Sequence, residues 1–125
     1  EKILNDVEKQ IRRRILLQTK TLILTPRYLV ELSDDICAII PLPEVLWIYD
    51  HAAMRRTIKG RQLSYTIHVV TMKGEEYTLT GKSHREVSAI YHELNTRYPN
   101  FFFGYSKEHQ EMVQYVLHEM KNEKA

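Results

Sequence analysis

The feature that most constrains the fold is the apolar run at residues 45–49, which contains the only tryptophan, Trp47. A strand with one wet face would alternate polar and apolar residues, so this run predicts a strand that is buried on both faces. Pro41 and Pro43 stand just before it, which bars a helix from running into the strand and favours an extended conformation at Leu42. We therefore interpret Trp47 as a core residue.

The composition is that of an ordinary globular protein. A length of 125 residues suits one domain, with 43% hydrophobic and 27% charged residues. The formal net charge of +2 is too small for the strongly basic face of a nucleic-acid-binding protein, and we expect no specific nucleic-acid partner. Cys37 is the only cysteine, which excludes an internal disulfide and favours a reducing, cytoplasmic compartment. No apolar run approaches the roughly 18 residues of a membrane span.

Residues 1–17 place apolar side chains at helical spacing and predict a one-sided amphipathic helix. The triplet at residues 12–14 is Arg-Arg-Arg, which suits the negative end of the helix dipole; a juxtamembrane or phosphate-facing patch is the alternative. The chain begins with Glu1 rather than Met, so a membrane segment upstream is left open, with this helix as its link. Residues 18–125 then form the domain.

Short β-type runs follow, separated by turn residues. Their links of a few residues favour an antiparallel meander, because a parallel crossover needs a dozen or more. In the last third, Ser83 and Glu86 form a capping-box pattern, Pro99 ends that helix and Ser106 caps a final one. Strands grouped before helices predict an α+β fold with an N-terminal helix and two C-terminal helices. The predicted strands are residues 21–25, 28–32, 36–40, 45–49, 63–72 and 76–80.

Several side-chain positions follow from these patterns. Alternation along residues 63–72 places Leu63 on the inward face, and helical spacing places Met112 on the inward stripe of the last helix. Cys37 lies between apolar neighbours and is interpreted as a buried structural thiol. Residues 121–125 are predicted to be a frayed tail.

Two segments carry a family resemblance. The run from Leu24 to Val30, with Thr25-Pro26-Arg27 at its turn, and the run Ile40-Pro41-Leu42-Pro43-Glu44-Val45 resemble bacterial pleckstrin-homology-like (PH-like) domains. The later stretch from Tyr98-Pro99 to Gly104-Tyr105-Ser106 resembles the close of an uncharacterised Gram-positive family of this architecture. The resemblance implies a bent antiparallel sheet, or partly open barrel, of about six or seven strands, and a non-catalytic binding module. The basic residues, however, lie outside the first hairpin, where lipid-binding PH domains usually collect them.

The candidate binding residues are four cations within seven positions, in a segment from residue 51 to 62 that lacks a clear apolar period and contains no acid. They could hold an anionic headgroup, a phosphate or an acidic protein partner, since paired arginines can fork onto paired oxygens. The alternative is a solvated hairpin tip. No aromatic residue is interleaved for base stacking. The four residues are Arg55, Arg56, Lys59 and Arg61.

Phe101, Phe102 and Phe103 concentrate aromatic area outside any predicted element. We interpret the triplet as a wedge between the last two helices and the sheet; partial exposure, as a protein or membrane contact, is the alternative. The open edges of an antiparallel sheet could also pair with a second copy, so a homodimer is a further expectation.

No motif in the chain carries catalysis. The six histidines include no pair at helical spacing, and one thiol cannot build a structural zinc site without distant ligands, so we expect no catalytic residue, metal or cofactor. One alternative is kept. A small-molecule-binding or enzymatic domain would use a pocket between the sheet and the C-terminal helices, with Tyr and His side chains as polar contacts.

Overall fold

The structure, a computed structural model, describes residues 2–32, 37–98 and 101–124. Three α-helices and two four-stranded sheets confirm the α+β prediction with one N-terminal and two C-terminal helices, and neither sheet closes into a barrel. The elements are α1 (Lys2–Arg13), β1 (Leu17–Gln18), β2 (Leu22–Leu24), β3 (Tyr28–Leu32), β4 (Cys37–Pro41), a one-turn 3-10 helix (Leu42–Glu44), β5 (Val45–Thr57), β6 (Gly60–Thr71), β7 (Glu76–Lys82), α2 (His84–Arg97), β8 (Phe102–Phe103) and α3 (Lys107–Lys124).

The first sheet has the order β1-β2-β3-β4 and is antiparallel throughout. Its inner face is buried, with Leu22 and Leu24 fully covered. Its outer face packs against α1, where Val7 joins the cluster of Tyr28 and Val30. The Tyr28 hydroxyl donates a hydrogen bond to the carboxylate of Asp6, which ties the helix to the sheet. The predicted N-terminal helix therefore exists, but it ends at Arg13 and β1 follows it.

The meander predicted for the first four strands breaks after β4. β5 pairs with β6 instead, and the 3-10 turn between β4 and β5 carries the chain into the second sheet. Leu42 is therefore the first residue of a helical turn rather than extended, and its amide donates to the carbonyl of Arg27 at 2.8 Å. The two prolines do bar a longer helix, as expected.

The second sheet has the order β7-β6-β5-β8, and β8 runs parallel to β5. A register shift between Val45 and Trp47 leaves Leu46 unpaired as a bulge, and both Leu46 and Trp47 pack under α3 with Val113. On the opposite face, Ile48 belongs to the main core. The prediction of a strand start buried on both faces is thus confirmed. That core lies between the two sheets and α2, which contributes Val87, Ile90 and Leu94.

A second bulge buries an ion pair that the sequence did not predict. The β6–β7 register shifts between Tyr65 and Ile67, and Gly81 takes a φ of +68°, a conformation that glycine adopts at little cost. Lys82 then points inward, and its Nζ lies 2.8 Å from Oε1 of Glu31 with both side chains almost fully buried. Lys82 is therefore part of the core, although its residue type favours the surface.

Some positions differ from the sequence prediction. Leu63 is 53% exposed because it lies beyond the covered part of β6, and Met112 is 51% exposed because α3 turns Val113 inward instead. α3 continues to Lys124, so the chain is helical where a frayed tail was predicted. The turn at residues 33–35, the side chain of Cys37 and Pro99 lie outside the described residues.

A basic two-stranded arm as the candidate functional site

The β5–β6 hairpin extends beyond its neighbours in the sheet. β8 pairs with β5 only at Trp47 and Ile48, and the first β6 residue paired with β7 is Tyr65. Beyond these points the two strands continue alone, paired from Ala53↔Ser64 to Thr57↔Gly60. We call residues 51–64 the arm. Its side chains are exposed or half-buried, so neither face of the arm is covered by the rest of the described structure.

All four predicted cations lie on the arm, but not in a loop. Arg55 and Arg56 belong to β5 and Arg61 to β6, while Lys59 lies in the turn. Residues 51–62 lack an apolar period, yet cross-strand hydrogen bonding gives them regular structure as part of a hairpin. Gly60 permits the tight turn through a φ of +116°, and the hydroxyl of Thr57 donates to its carbonyl at 2.9 Å.

The pairing places like charges opposite each other. Arg56 is the cross-strand partner of Arg61, and Arg55 faces Gln62. Like charges directly opposite in a β-ladder are destabilising. Among the residues that the structure describes, none of the four cations takes part in an ion pair, and residues 51–64 contain no acid. The arm is therefore an uncompensated positive surface, and a bound anion would relieve the repulsion.

The arm also exposes large apolar side chains, which the sequence analysis did not single out. Ile58 at the apex is fully exposed at 107%, and Met54 is 66% exposed. Met54 pairs with Leu63, and strand alternation puts this pair on the same face as Arg56 and Arg61. The signal was present in the sequence as apolar residues interspersed among cations, but without the hairpin register it has no geometric meaning.

A groove of about 710 Å³ separates the arm from the start of α2. Its lining includes Arg55 and Arg56 on one side and Ser83 and Glu86 on the other. The start of α2 is already satisfied, because Ser83 and Glu86 form the predicted capping box, with hydrogen bonds of 2.9 and 3.2 Å. The groove lining thus combines the cations of the arm with the buried carboxylate of Glu86, which disfavours an anion next to that carboxylate.

The surroundings of Glu86 favour its ionised form. Burial by itself raises the pKa of this carboxyl, but hydrogen bonds from Thr19, from the backbone of Ser83 and from Thr21 act the other way and hold it below its ordinary value. The Thr19 and Thr21 hydroxyls donate to Oε2 at 2.5 and 2.7 Å. These bonds join the start of α2 to the loop between β1 and β2. A hydrogen-bonded polar network therefore lies next to the base of the arm.

An aromatic row runs along the other face of the same hairpin. Tyr49 stacks on His68 with ring centroids 4.7 Å apart, and Trp47 lies 4.3 Å from Tyr49. His51 continues the row, its Nδ1 3.0 Å from Nε2 of His68. Burial and the neighbouring His51 lower the pKa of His68, which favours the neutral imidazole. Spacing along the chain did not reveal this pair, because the two histidines meet only through the β5–β6 register.

The profile of one protein family, described as a domain of unknown function (DUF6709), matches residues 6–113. The chain belongs to the DUF6709 family. The matched region begins inside α1 and ends inside α3, so this DUF6709 domain includes the whole arm. No curated protein and no solved structure matches the chain.

The phenylalanine triplet of this DUF6709 domain is divided between the two faces of the second sheet. Phe101 and Phe103 pack against the main core, while Phe102 joins the cluster under α3. All three side chains are half-buried, as a wedge would be, and the two-residue strand β8 was not predicted. A direct contact between the triplet and a partner stays a prediction.

Three further findings concern the other types of site considered for this chain. Within residues 2–32, 37–98 and 101–124, no group of three or more His, Cys, Asp or Glu side chains is placed to hold a metal ion. No helix in the same ranges is long and apolar enough to cross a membrane. A groove of about 390 Å³ lies between the β6–β7 turn and α3, and its lining of Met72, Lys73, Gly74, Leu117, Met120 and Lys121 includes no Tyr or His.

Proposed function

We propose that this DUF6709 domain is a non-catalytic interaction module of PH-like architecture that binds an anionic surface through its arm. The observation that carries the proposal is the set of four cations on a projecting arm, residues 51–64, that contains no acid. Two sheets that are antiparallel except at β8, with α2 packed on them, also fit what the PH-like resemblance implies. The cations lie on the β5–β6 hairpin rather than the first one, so the contact differs from that of lipid-binding PH domains.

The electrostatics give the proposal a scale. Each Lys or Arg near an anionic surface contributes about 1 kcal/mol at moderate salt. Four cations together therefore contribute about 4 kcal/mol, which is on the order of a thousandfold in the binding constant. The two arginines that face each other gain most, because bound anions remove the repulsion between Arg56 and Arg61.

The test neutralises the arm and compares it with a matched control. The arm variant is R55Q/R56Q/K59Q/R61Q, and the control is K9Q/K20Q/K107Q/K121Q, whose four side chains are also exposed. Each set of changes moves the formal net charge from +2 to −2, because four of the 18 Lys and Arg residues are lost against 16 acids. Binding to a polyanionic matrix such as heparin, to a polyglutamate peptide and to phosphatidylserine vesicles is measured over a salt series.

We expect the arm variant to lose binding to the anionic probes and the control to keep it within a few-fold. Equal losses in both variants would mean that net charge alone drives binding, and the arm would lose its role. The predicted homodimer is measured in the same samples by sedimentation. A dimer that the arm variant abolishes would instead assign the arm to self-association.

A further inference from the structure

We propose that the anionic surface is a membrane, and that the arm inserts Ile58 among the lipid headgroups while its cations bind them. This inference rests on the proposed function and adds the identity of the partner. It joins two observations on one hairpin: a fully exposed isoleucine at the apex, and cations on both strands just behind it.

The apex has the shape and chemistry of an insertion loop. Ile58 is 107% exposed and follows Thr57, the last residue of β5, so its side chain meets no covering residue in the described structure. Lys59 is next to it in the turn. An isolated exposed apolar residue needs no explanation by itself. An exposed isoleucine at the end of a basic hairpin does call for an explanation. A membrane interface provides one, because its acyl chains accept the apolar side chain while its headgroups bind the cations.

The spacing along the arm fits the depth of such an interface. Strand residues rise about 3.4 Å each, so the Arg56–Arg61 pair lies one step behind the Thr57–Gly60 pair that closes the turn, and Arg55 about 7 Å behind it. Apolar groups of peripheral proteins enter the interface by about 5–10 Å. With Ile58 inserted, the cations therefore lie at the level of the lipid phosphates. Met54 and Leu63 follow on the face of Arg56 and Arg61, where long apolar side chains can contact the same surface.

The charge pattern disfavours the other occupants. A second copy of the chain paired arm to arm would bring two sets of four cations together without an acid on either arm. The lining of the neighbouring groove includes the ionised Glu86, which repels an acidic peptide laid next to it. A membrane at the outer end of the arm meets Ile58 and Lys59 of the groove lining without approaching Glu86 at the start of α2.

The test separates insertion from electrostatic binding. The variants are Ile58→Ser, the arm variant R55Q/R56Q/K59Q/R61Q, and Met112→Ser as a control that removes an exposed apolar side chain from α3. Ile58 is fully exposed, so Ile58→Ser keeps the fold, and circular dichroism verifies this. We measure partitioning onto two kinds of vesicle, phosphatidylcholine with about 30% phosphatidylserine and pure phosphatidylcholine. We also measure insertion into a monolayer of the anionic mixture. That mixture roughly matches an anionic leaflet.

We expect the wild type to bind the anionic vesicles and not the neutral ones. Ile58→Ser is expected to bind about tenfold more weakly, as for partial burial of one isoleucine, and to insert into the monolayer only at a lower surface pressure. Met112→Ser is expected to behave as the wild type. If Ile58→Ser binds and inserts as the wild type does while the arm variant fails, insertion is overturned and the proposed function stands. Binding to polyglutamate but not to anionic vesicles would overturn the membrane assignment alone, and binding to neither would overturn both proposals.

Discussion

At the scale of single residues, two buried charges fix the elements that lie next to the arm. Lys82 reaches Glu31 across the core, and Glu86 accepts from two threonine hydroxyls and a backbone amide. Such groups are costly to bury unless their partners are in place, so they fix the relative positions of β3, β7 and α2. The capping role of Glu86 was readable from local sequence. The burial of Lys82 was not, because it depends on the bulge at Gly81 and on a partner 51 positions away.

The lowered pKa of Glu86 predicts an acid-sensitive contribution to stability. Its carboxyl has a pKa below the ordinary 4.5 in the folded protein, so its stabilisation is fully present above that value and is lost as the pH falls through the folded pKa. Glu86→Gln should lower the free energy of unfolding by about 1–3 kcal/mol at pH 7, because an amide nitrogen replaces one acceptor oxygen. Below pH 4.5 the difference between the two proteins should shrink.

Urea denaturation from pH 7 to pH 3 measures this difference. Glu93 lies on the same helix, half-buried and paired with Arg97 one turn away, and provides the control substitution Glu93→Gln, for which we expect a small change. A constant gap between wild type and Glu86→Gln over the whole pH range would show that ionisation of Glu86 is not the source of its contribution.

At the scale of elements, sequence patterns predict those helices and strands whose bounds are set by local interactions. β3 was predicted with its observed bounds because Pro26 and the short polar residues punctuate it, and α2 because of its capping box and apolar face. β5 was predicted only to Tyr49. Beyond that point its residues face solvent on both sides, so no hydrophobic alternation is needed and none is present. β8 is two residues long and pairs in parallel, and such a contact has no local signal.

Trp47 holds three of these elements together, and its replacement should show it. Its Nε1 donates to the carbonyl of Gly104 at 2.9 Å, its backbone pairs with Phe102, and its ring packs under α3. Trp47→Ala should lower the free energy of unfolding by about 3–5 kcal/mol. Trp47→Phe keeps most of the packing and should cost about 1–2 kcal/mol through the lost hydrogen bond and smaller ring. Urea titrations followed by circular dichroism measure both; lost vesicle binding with unchanged stability would make Trp47 a site residue instead.

At the scale of the whole molecule, the residues proposed to bind a partner are separate from those that stabilise the fold. The core of the domain lies between the two sheets and α2, with a second cluster under α3, and the arm contributes little to either. The charges of the arm could be predicted from the sequence, because its four cations lie close together along the chain with no acid between them. Their opposition across strands and the leading position of Ile58 could not, because both follow from the register that starts at the other end of a hairpin of 27 residues.

A charge reversal at Arg61 should therefore move stability and binding in opposite directions. Arg61→Glu converts the repulsive pair with Arg56 into an attractive one, which should raise the free energy of unfolding by about 0.5–1 kcal/mol. The same change should weaken binding to anionic vesicles by more than tenfold, because one cation is lost and an anion is added at the contact. Lys20→Glu, at an exposed position between β1 and β2, makes the same change in net charge and should bind within two- to threefold of the wild type.

Urea titration and vesicle sedimentation measure the two quantities on the same proteins. A destabilised Arg61→Glu would contradict the cross-strand pairing of the arm, whereas a stabilised variant that binds normally would show that the arm is not the contact surface. Only a residue whose charge serves binding at a cost to folding should give both a more stable protein and a weaker contact.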